Sequence, residues 1–398
     1  MGQVPNTGPL KGMKVIEMAH IMAGPVTGLM LADMGADVIK VERPEGDDTR
    51  RFLPPDIEGE SAAFMMMNRN KRGIRLDLKT KAGKAALIRL IEQADCLIEN
   101  YRHDTMAKLG LGYDELKKIN PGLIYCEISG FGRTGPYRER GGFDLIAQGM
   151  SGLMSITGEA PGRPPVKVGA PVSDITAGIL GAMGVAAAYT HKLKTGEGQR
   201  VDTSLFEAGI THTYWQSAIC FATGTAPGPM GSAHPLNAPY EAFRTADGWL
   251  NLGAANQTNW ERMLTVIDAQ HLARETRFAS NRTRMENRAE LADALAPYFK
   301  PQPTAHWLEA LEAAGVPAGP VLSIAEMHAD SQTIARDMVT EVDHPVAGKV
   351  KTIGAPVKFH GTPAGVKRPA PLLGQHTEEV LAEAGFSAEE ISAIIGSG

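Results

Sequence analysis

Two apolar runs, Met13–Ala19 and Gly35–Glu42, flank a segment of helical character, and this spacing predicts a strand–helix–strand unit at the start of the chain. The helix is expected over Val26–Met34, with Pro25 at its first position. Parallel strands need such a crossover, so the unit implies a parallel sheet. The pattern recurs downstream. Gly73–Leu78 reads as a strand, Thr80–Ala94 as a helix, and Asp95–Asn100 and Leu123–Ser129 as further strands. A βα rhythm over residues 13–130 predicts an α/β, Rossmann-like doubly wound domain. Ligands of such sheets bind outside the C-terminal strand ends. His20, Arg43, Asn100 and the turn from Gly130 fall at those ends.

The turn His20–Pro25 lacks GxGxxG and GxxxxGK[ST], so no dinucleotide or nucleotide-triphosphate fingerprint supports NAD or ATP. Its helix N-terminus still suits a phosphate or carboxylate. A formal net charge of −5 argues against a general nucleic-acid binder. Cys96, Cys126 and Cys220 have no paired spacing, which points to a reducing compartment without disulfides or a zinc site. No HExxH motif or Cys/His cluster suggests a metal. The N-terminus has no charged region followed by an apolar one, and the expectation is a cytoplasmic protein without a membrane span. The basic run Arg69, Lys71, Arg72, Arg75 and Lys79 reads as a solvated face or as a surface that meets an anion.

Chemistry concentrates at Lys167-Val-Gly-Ala-Pro171-Val-Ser-Asp174-Ile-Thr-Ala-Gly178. The Ala- and Gly-rich run Ile179–Tyr189 follows, long enough for a buried helix and too short to span a bilayer. Ser173 and Asp174 stand where an N-cap stands. At the positive end of a helix the Asp174 carboxylate is expected to stay ionised. Two readings remain open from the residues alone: a cap, or a nucleophile toward an activated acyl group. Asp144, in Gly141-Gly-Phe-Asp144, reads first as a cap, and His20 as structural or functional.

Thr203–Ala222 reads as one long helix, followed by a Gly/Pro-rich stretch at Thr223–Pro235. Two strands, Tyr240–Arg244 and Trp249–Gly253, flank the turn Thr245-Ala-Asp-Gly248, and helical patterns run on to Ala314. These observations predict three segments: a large domain with a linker helix at 1–225, a smaller α+β domain at 226–324, and a tail at 325–398 that returns to the first.

Several stretches together resemble the class III CoA-transferases, the group of formyl-CoA transferase and carnitine CoA-transferase, to which alpha-methylacyl-CoA racemase is related. They are Ala23-Gly-Pro25, Gly35–Pro44, Asn70-Lys-Arg72 with Leu76–Lys79, Glu99-Asn100, Ser129-Gly-Phe-Gly132, Gly196–Asp202, Thr245–Gly248 and Pro371–Thr377. Their order and spacing span nearly the whole chain. The resemblance implies an interlocked homodimer and an acyl-CoA:carboxylate transferase, with no permanent cofactor and with coenzyme A thioesters as substrates. It places the catalytic aspartate at Asp174. It places coenzyme A contacts at His20, Met22, Ala23, Arg43, Leu76, Lys79, Asn100, Tyr101, Arg102, Lys108, Gly142, Phe143 and Asp144. The glycine-rich lid of the family has a loose counterpart in Gly228–His234. Met22, Gly141 and Phe143 replace polar groups of the formyl-CoA enzyme, while Asn237-Ala-Pro-Tyr240 is nearer to dicarboxylate transferases that use succinyl-CoA. Racemases carry a histidine where this chain has Phe143, so the isomerase is the alternative.

Overall fold

The computed structural model describes residues 7–396. The first six residues, part of the stretch that reads as lacking a leader, lie outside the described residues. The chain divides into two compact units. One comprises Met1–Gly152, Val168–His212 and Ser331–Gly398; the other comprises Leu153–Lys167 and Thr213–Asp330.

In the first unit, six strands form one parallel sheet: β1 (Lys14–Glu17), β2 (Asp37–Glu42), β3 (Arg72–Arg75), β4 (Cys96–Glu99), β5 (Ile124–Ser129) and β6 (Arg200–Ser204). Their spatial order is β3-β2-β1-β4-β5-β6. This is the dinucleotide-fold order, whose direction reverses between β1 and β4. Alternate side chains go to opposite faces, as a sheet covered on both sides requires. Val15, Val38, Ile98 and Cys126 enter one core. Ile16, Ile39, Leu97 and Tyr125 enter the other. The second of these cores also takes Val380, Leu381, Ile391 and Ile394 from the C-terminal helices.

Five helices of this unit matter below: α1 (Ala23–Asp33), α2 (Lys81–Glu92), α3 (Asp144–Met150), α4 (Val172–Thr195) and α5 (Leu205–Thr211). The α2 helix starts as expected, with the Thr80 hydroxyl accepting from Gly83 N at 3.0 Å. By contrast, α1 begins at Ala23 rather than Val26, and Pro25 is its third residue. A proline fits there because first-turn N–H groups have no partner within the helix.

Three further expectations are corrected. Thr203–Ala222 is not one helix: Thr203 and Ser204 end β6, α5 stops at Thr211, and a separate helix covers Tyr214–Thr223. Second, much of the basic run is neither a solvated face nor an anion surface. Arg69 pairs with Asp33, Lys71 with Glu17, and Arg72 with Asp37, Glu379 and Glu383. Third, α4 extends beyond the run Ile179–Tyr189. By length and composition it reaches the membrane-spanning range, a test that core helices of soluble proteins also pass. One of its faces is buried, through Ala177, Gly178, Gly181, Ala182 and Val185. Its small residues have a steric cause. A Cβ on Gly178 would lie 2.6 Å from Val26 Cβ and 2.7 Å from Ala23 O, and the Thr27 hydroxyl donates to Gly178 O at 2.9 Å.

The second unit holds an antiparallel sheet. Tyr240–Arg244 pairs with Trp249–Gly253, which pairs with Ala318–Pro320. Its core gathers Trp260, Phe278, Leu295, Phe299 and Trp307. The Gly228–His234 loop belongs to this unit, with the His234 ring stacked on Tyr240 at 5.0 Å.

Candidate active site

The site grows from the sheet's point of reversal. The turn after β1 and the turn after β4 are joined by Asn100, whose Oδ1 accepts from His20 N at 2.9 Å and whose Nδ2 donates to His20 O at 2.8 Å. Charges buried under the turn hold it from below. Lys40 Nζ donates to Ala19 O at 2.9 Å, and Asp47 Oδ1 accepts from Ile21 N at 3.3 Å. Lys40 is fully buried between Glu17 at 3.1 Å and Asp47 at 2.8 Å. Burial opposes its charge, but these carboxylates win and hold the ammonium well above its ordinary range. Ile21 sits at φ 66°, the left-handed region that a β-branched residue avoids. Such a residue stores about 1–3 kcal/mol of strain, sustained here by the bonds on either side.

Opposite this turn lies the start of α4. Asp174 is the third residue of that helix, not its cap; the cap position is Pro171. The capping oxygen comes from α3. Asp144 Oδ1 accepts from Ser173 N at 2.9 Å, and Oδ2 accepts from Gln148 Nε2 at 2.7 Å. Gln148 is buried, and its Oε1 accepts from Val168 N at 2.9 Å, which ties the lead-in segment of α4 to α3. Asp144 is therefore a cap, as expected, but of a helix distant in sequence. Asp174 has no hydrogen bond to its carboxylate among the described residues. Burial, with Asp144 nearby, pushes its pKa up to about 7. The expectation that it stays fully ionised is corrected: burial and a second carboxylate leave it only partly ionised at neutral pH.

One cavity of about 320 Å³ brings His20, Met22, Ala23, Asn100, Tyr101, Arg102, Gly142, Phe143 and Asp174 together. Tyr101 also lines a second cavity of about 630 Å³, which holds Arg43, Leu76 and Lys79. Lys108 is exposed and lines neither, and Asp144 acts through its hydrogen bonds rather than as lining. Gly142 has a steric role, since a Cβ there would lie 2.5 Å from Gly130 Cα. The sequence reading missed Arg133, which lines the first cavity and donates to Glu99 at 2.8 Å and to Tyr101 O at 2.9 Å. Gln148, Lys40 and Asp47 were also missed. Lys40, between Ile39 and Val41 in an apolar strand, was the one legible signal of a buried charge.

A largely buried acidic side chain in the first turn of a helix, lining a cavity that also holds Arg102, Arg133, Arg138 and Arg140, suits attack on an acyl group carried by an anionic ligand. The family model described as CoA-transferase family III matches residues 10–377. The chain belongs to that family. The enzyme is accordingly a CoA-transferase, acting on coenzyme A thioesters and carboxylic acids. It is 42% identical to the succinate–glutarate CoA-transferase of Agrobacterium fabrum over 96% of this chain and 98% of the relative. It is 35% identical to the human succinyl-CoA:glutarate CoA-transferase, covering 95% and 86%. Among solved structures, a CAIB/BAIF family protein from Brucella suis is similar at 40% identity and a TM-score of 0.84, covering 95% of this transferase and all of that chain. Among the described residues, no cluster of three His, Cys, Asp or Glu side chains is placed to hold a metal ion.

Proposed function

We propose that this CoA-transferase moves CoA from a dicarboxylic acyl-CoA, succinyl-CoA or a close analogue, to a free dicarboxylic acid, with Asp174 as the nucleophile. The observation that carries the reading is the placement of Asp174, its carboxylate without a hydrogen bond among the described residues and lining the cavity at the sheet's point of reversal. The names of the two relatives above supply the substrate class.

The chemistry is stepwise. The Asp174 carboxylate attacks the donor thioester carbon, giving an aspartyl–acyl anhydride and CoA thiolate. The thiolate attacks the aspartyl carbonyl, the donor acid leaves, and an aspartyl-CoA thioester remains. The acceptor carboxylate attacks that thioester, and the released thiolate takes the acceptor acyl group from the second anhydride. Water would destroy either anhydride, so the cavity has to be dry while they exist. The His20–Ala23 turn and Asn100–Arg102 would seat the thioester end. The second cavity, with Arg43, Leu76 and Lys79, would take the phosphate-bearing end, and the exposed Lys108 would add charge at its margin.

We also propose an interlocked homodimer in a reducing, cytoplasmic setting. Phe143, Leu145 and Ile146 at α3 and Ile179 and Met183 on α4 are apolar yet 47–69% exposed, which favours a partner over this face. The three free cysteines favour the compartment.

The functional test mixes the pure protein with a panel of acyl-CoAs and free acids in deuterated water and follows products by mass spectrometry. New dicarboxylyl thioesters are expected, without exchange at Cα of 2-methylacyl-CoA. Fast exchange with inversion at that carbon, and no transfer to any acid, would favour the isomerase instead.

A further inference from the structure

His20 lines this cavity, the transfer mechanism leaves its ring chemistry unused, and its surroundings define what that ring can do. Its backbone is fixed on both sides by Asn100. Its ring packs edge-on against Tyr101, centroids 5.0 Å apart. Ile21, next in the chain, is strained at φ 66°. A strained backbone held by three bonds is the mark of a side chain whose direction is specified. Ring atom Nδ1 is buried without a hydrogen-bond partner. Nε2 makes no hydrogen bond to the described residues and is not among the fully buried orphan atoms, so it is the ring nitrogen with access to the cavity that His20 lines.

These facts select a tautomer. A neutral imidazole carries one N–H and one acceptor nitrogen. Placing the proton on the buried Nδ1 would strand a donor, whereas placing it on Nε2 leaves that donor free to meet a ligand. Burial lowers the ring pKa, and so do Lys40 and Arg43, against the opposing influence of Asp47 and Asp48. The ring is therefore neutral when the enzyme works near pH 7.

We propose that His20 presents a neutral Nε2–H to the acyl carbonyl attacked by Asp174, as a donor to the developing oxyanion. The proposal rests on the transferase reading above and adds a group to it. When the Asp174 carboxylate adds to the thioester carbon, the carbonyl electron pair moves to oxygen. That oxygen accepts the hydrogen bond. The pair then returns as the carbon–sulfur bond breaks and CoA thiolate leaves. The His20 proton stays on nitrogen throughout, so the ring acts as neither base nor acid. A neutral donor also suits this site because a cationic imidazolium would pair with the Asp174 carboxylate and blunt its attack.

The experiment compares wild type, His20→Leu and His20→Gln for transfer between succinyl-CoA and glutarate. Trapping of the acyl-enzyme with hydroxylamine runs in parallel, and thermal melting confirms that each variant is folded. Glutamine can place an amide N–H near the position of Nε2, and leucine cannot. Losing one oxyanion donor costs about 10²–10³-fold in kcat. His20→Leu is expected to show a loss of that size with KM within about threefold, and His20→Gln to regain at least tenfold of it. Wild-type kcat should show no pH limb attributable to His20. An unchanged kcat in His20→Leu, a loss confined to KM, or equal losses in both variants would overturn the proposal. If wild type itself traps no acyl-enzyme and makes no glutaryl-CoA, the transferase reading fails, an outcome distinct from failure of the His20 role alone.

Discussion

At Asp174, stability and catalysis pull on the same proton. Its pKa in the folded protein is about 7, against an ordinary value of 3.8. Between those values the folded state binds a proton that the unfolded chain has released, so this group makes stability fall as pH rises. Asp174→Asn removes that cost. The variant is expected to melt roughly 2–5 °C higher than wild type at pH 8 and at the same temperature near pH 4. Calorimetry at the two pH values checks this, and an equal difference at both would contradict it. As the proposed nucleophile Asp174 has to be ionised, so kcat/KM of wild type should rise with pH through about 7. The position of Asp174 was legible because a carboxylate ahead of an Ala/Gly-rich run is a local signal. Its charge state was not, because the burial that raises its pKa, and the approach of Asp144 from 29 residues before Ser173, arise only through the fold. Gln148 was silent for the same reason: a glutamine in a short helix carries no mark of being buried against the segment that leads into α4.

Among the elements, α4 is where composition and packing agree. Its glycines permit an approach to α1 that no side chain would allow. Gly178→Val forces a branched group onto Val26 and Ala23 O, and overpacking of this kind costs about 1–3 kcal/mol. Denaturant unfolding is expected to show a midpoint lowered accordingly, with activity falling because α4 carries Asp174; an unchanged midpoint would refute the close-packing account. Short continuous apolar runs, as in a sheet covered on both faces, made β1, β2, β4 and β5 visible. The edge strand β6 escaped because Arg200-Val-Asp-Thr-Ser204 is mostly polar, its register set by pairing with β5 and by the Arg200–Glu127 ion pair. The helix expected there starts only after Ser204, whose hydroxyl accepts from Glu207 N at 3.1 Å, and it breaks after Thr211 before a separate helix begins at Tyr214. The basic run misled because charge in a sequence does not name its partner. Arg69 and Lys71 sit in ion pairs that are 4% exposed or less.

Across the whole molecule, alternating strands and helices made the parallel sheet readable, and the order of family stretches made the activity readable. Interruptions were harder. Leu153–Lys167 leaves the first unit for the second just before the segment that delivers Asp174, and its glycines and prolines (Gly158, Pro161, Gly162, Pro164, Pro165) were not read as a boundary. The proposed dimer rests on the exposed apolar side chains of α3 and α4. Sedimentation at nanomolar concentration is expected to find a dimer that does not dissociate on dilution, and a folded monomer would contradict interlocking. The central claim is that Asp174 carries the acyl group and then CoA. Its most direct measurement incubates wild type and Asp174→Ala with succinyl-CoA and hydroxylamine, followed by peptide mapping by mass spectrometry. The account predicts a hydroxamate on Asp174 in wild type, with none in the folded alanine variant and less than about one per cent of its transfer activity remaining. Full transfer by the alanine variant, or a hydroxamate at another carboxylate, would contradict it.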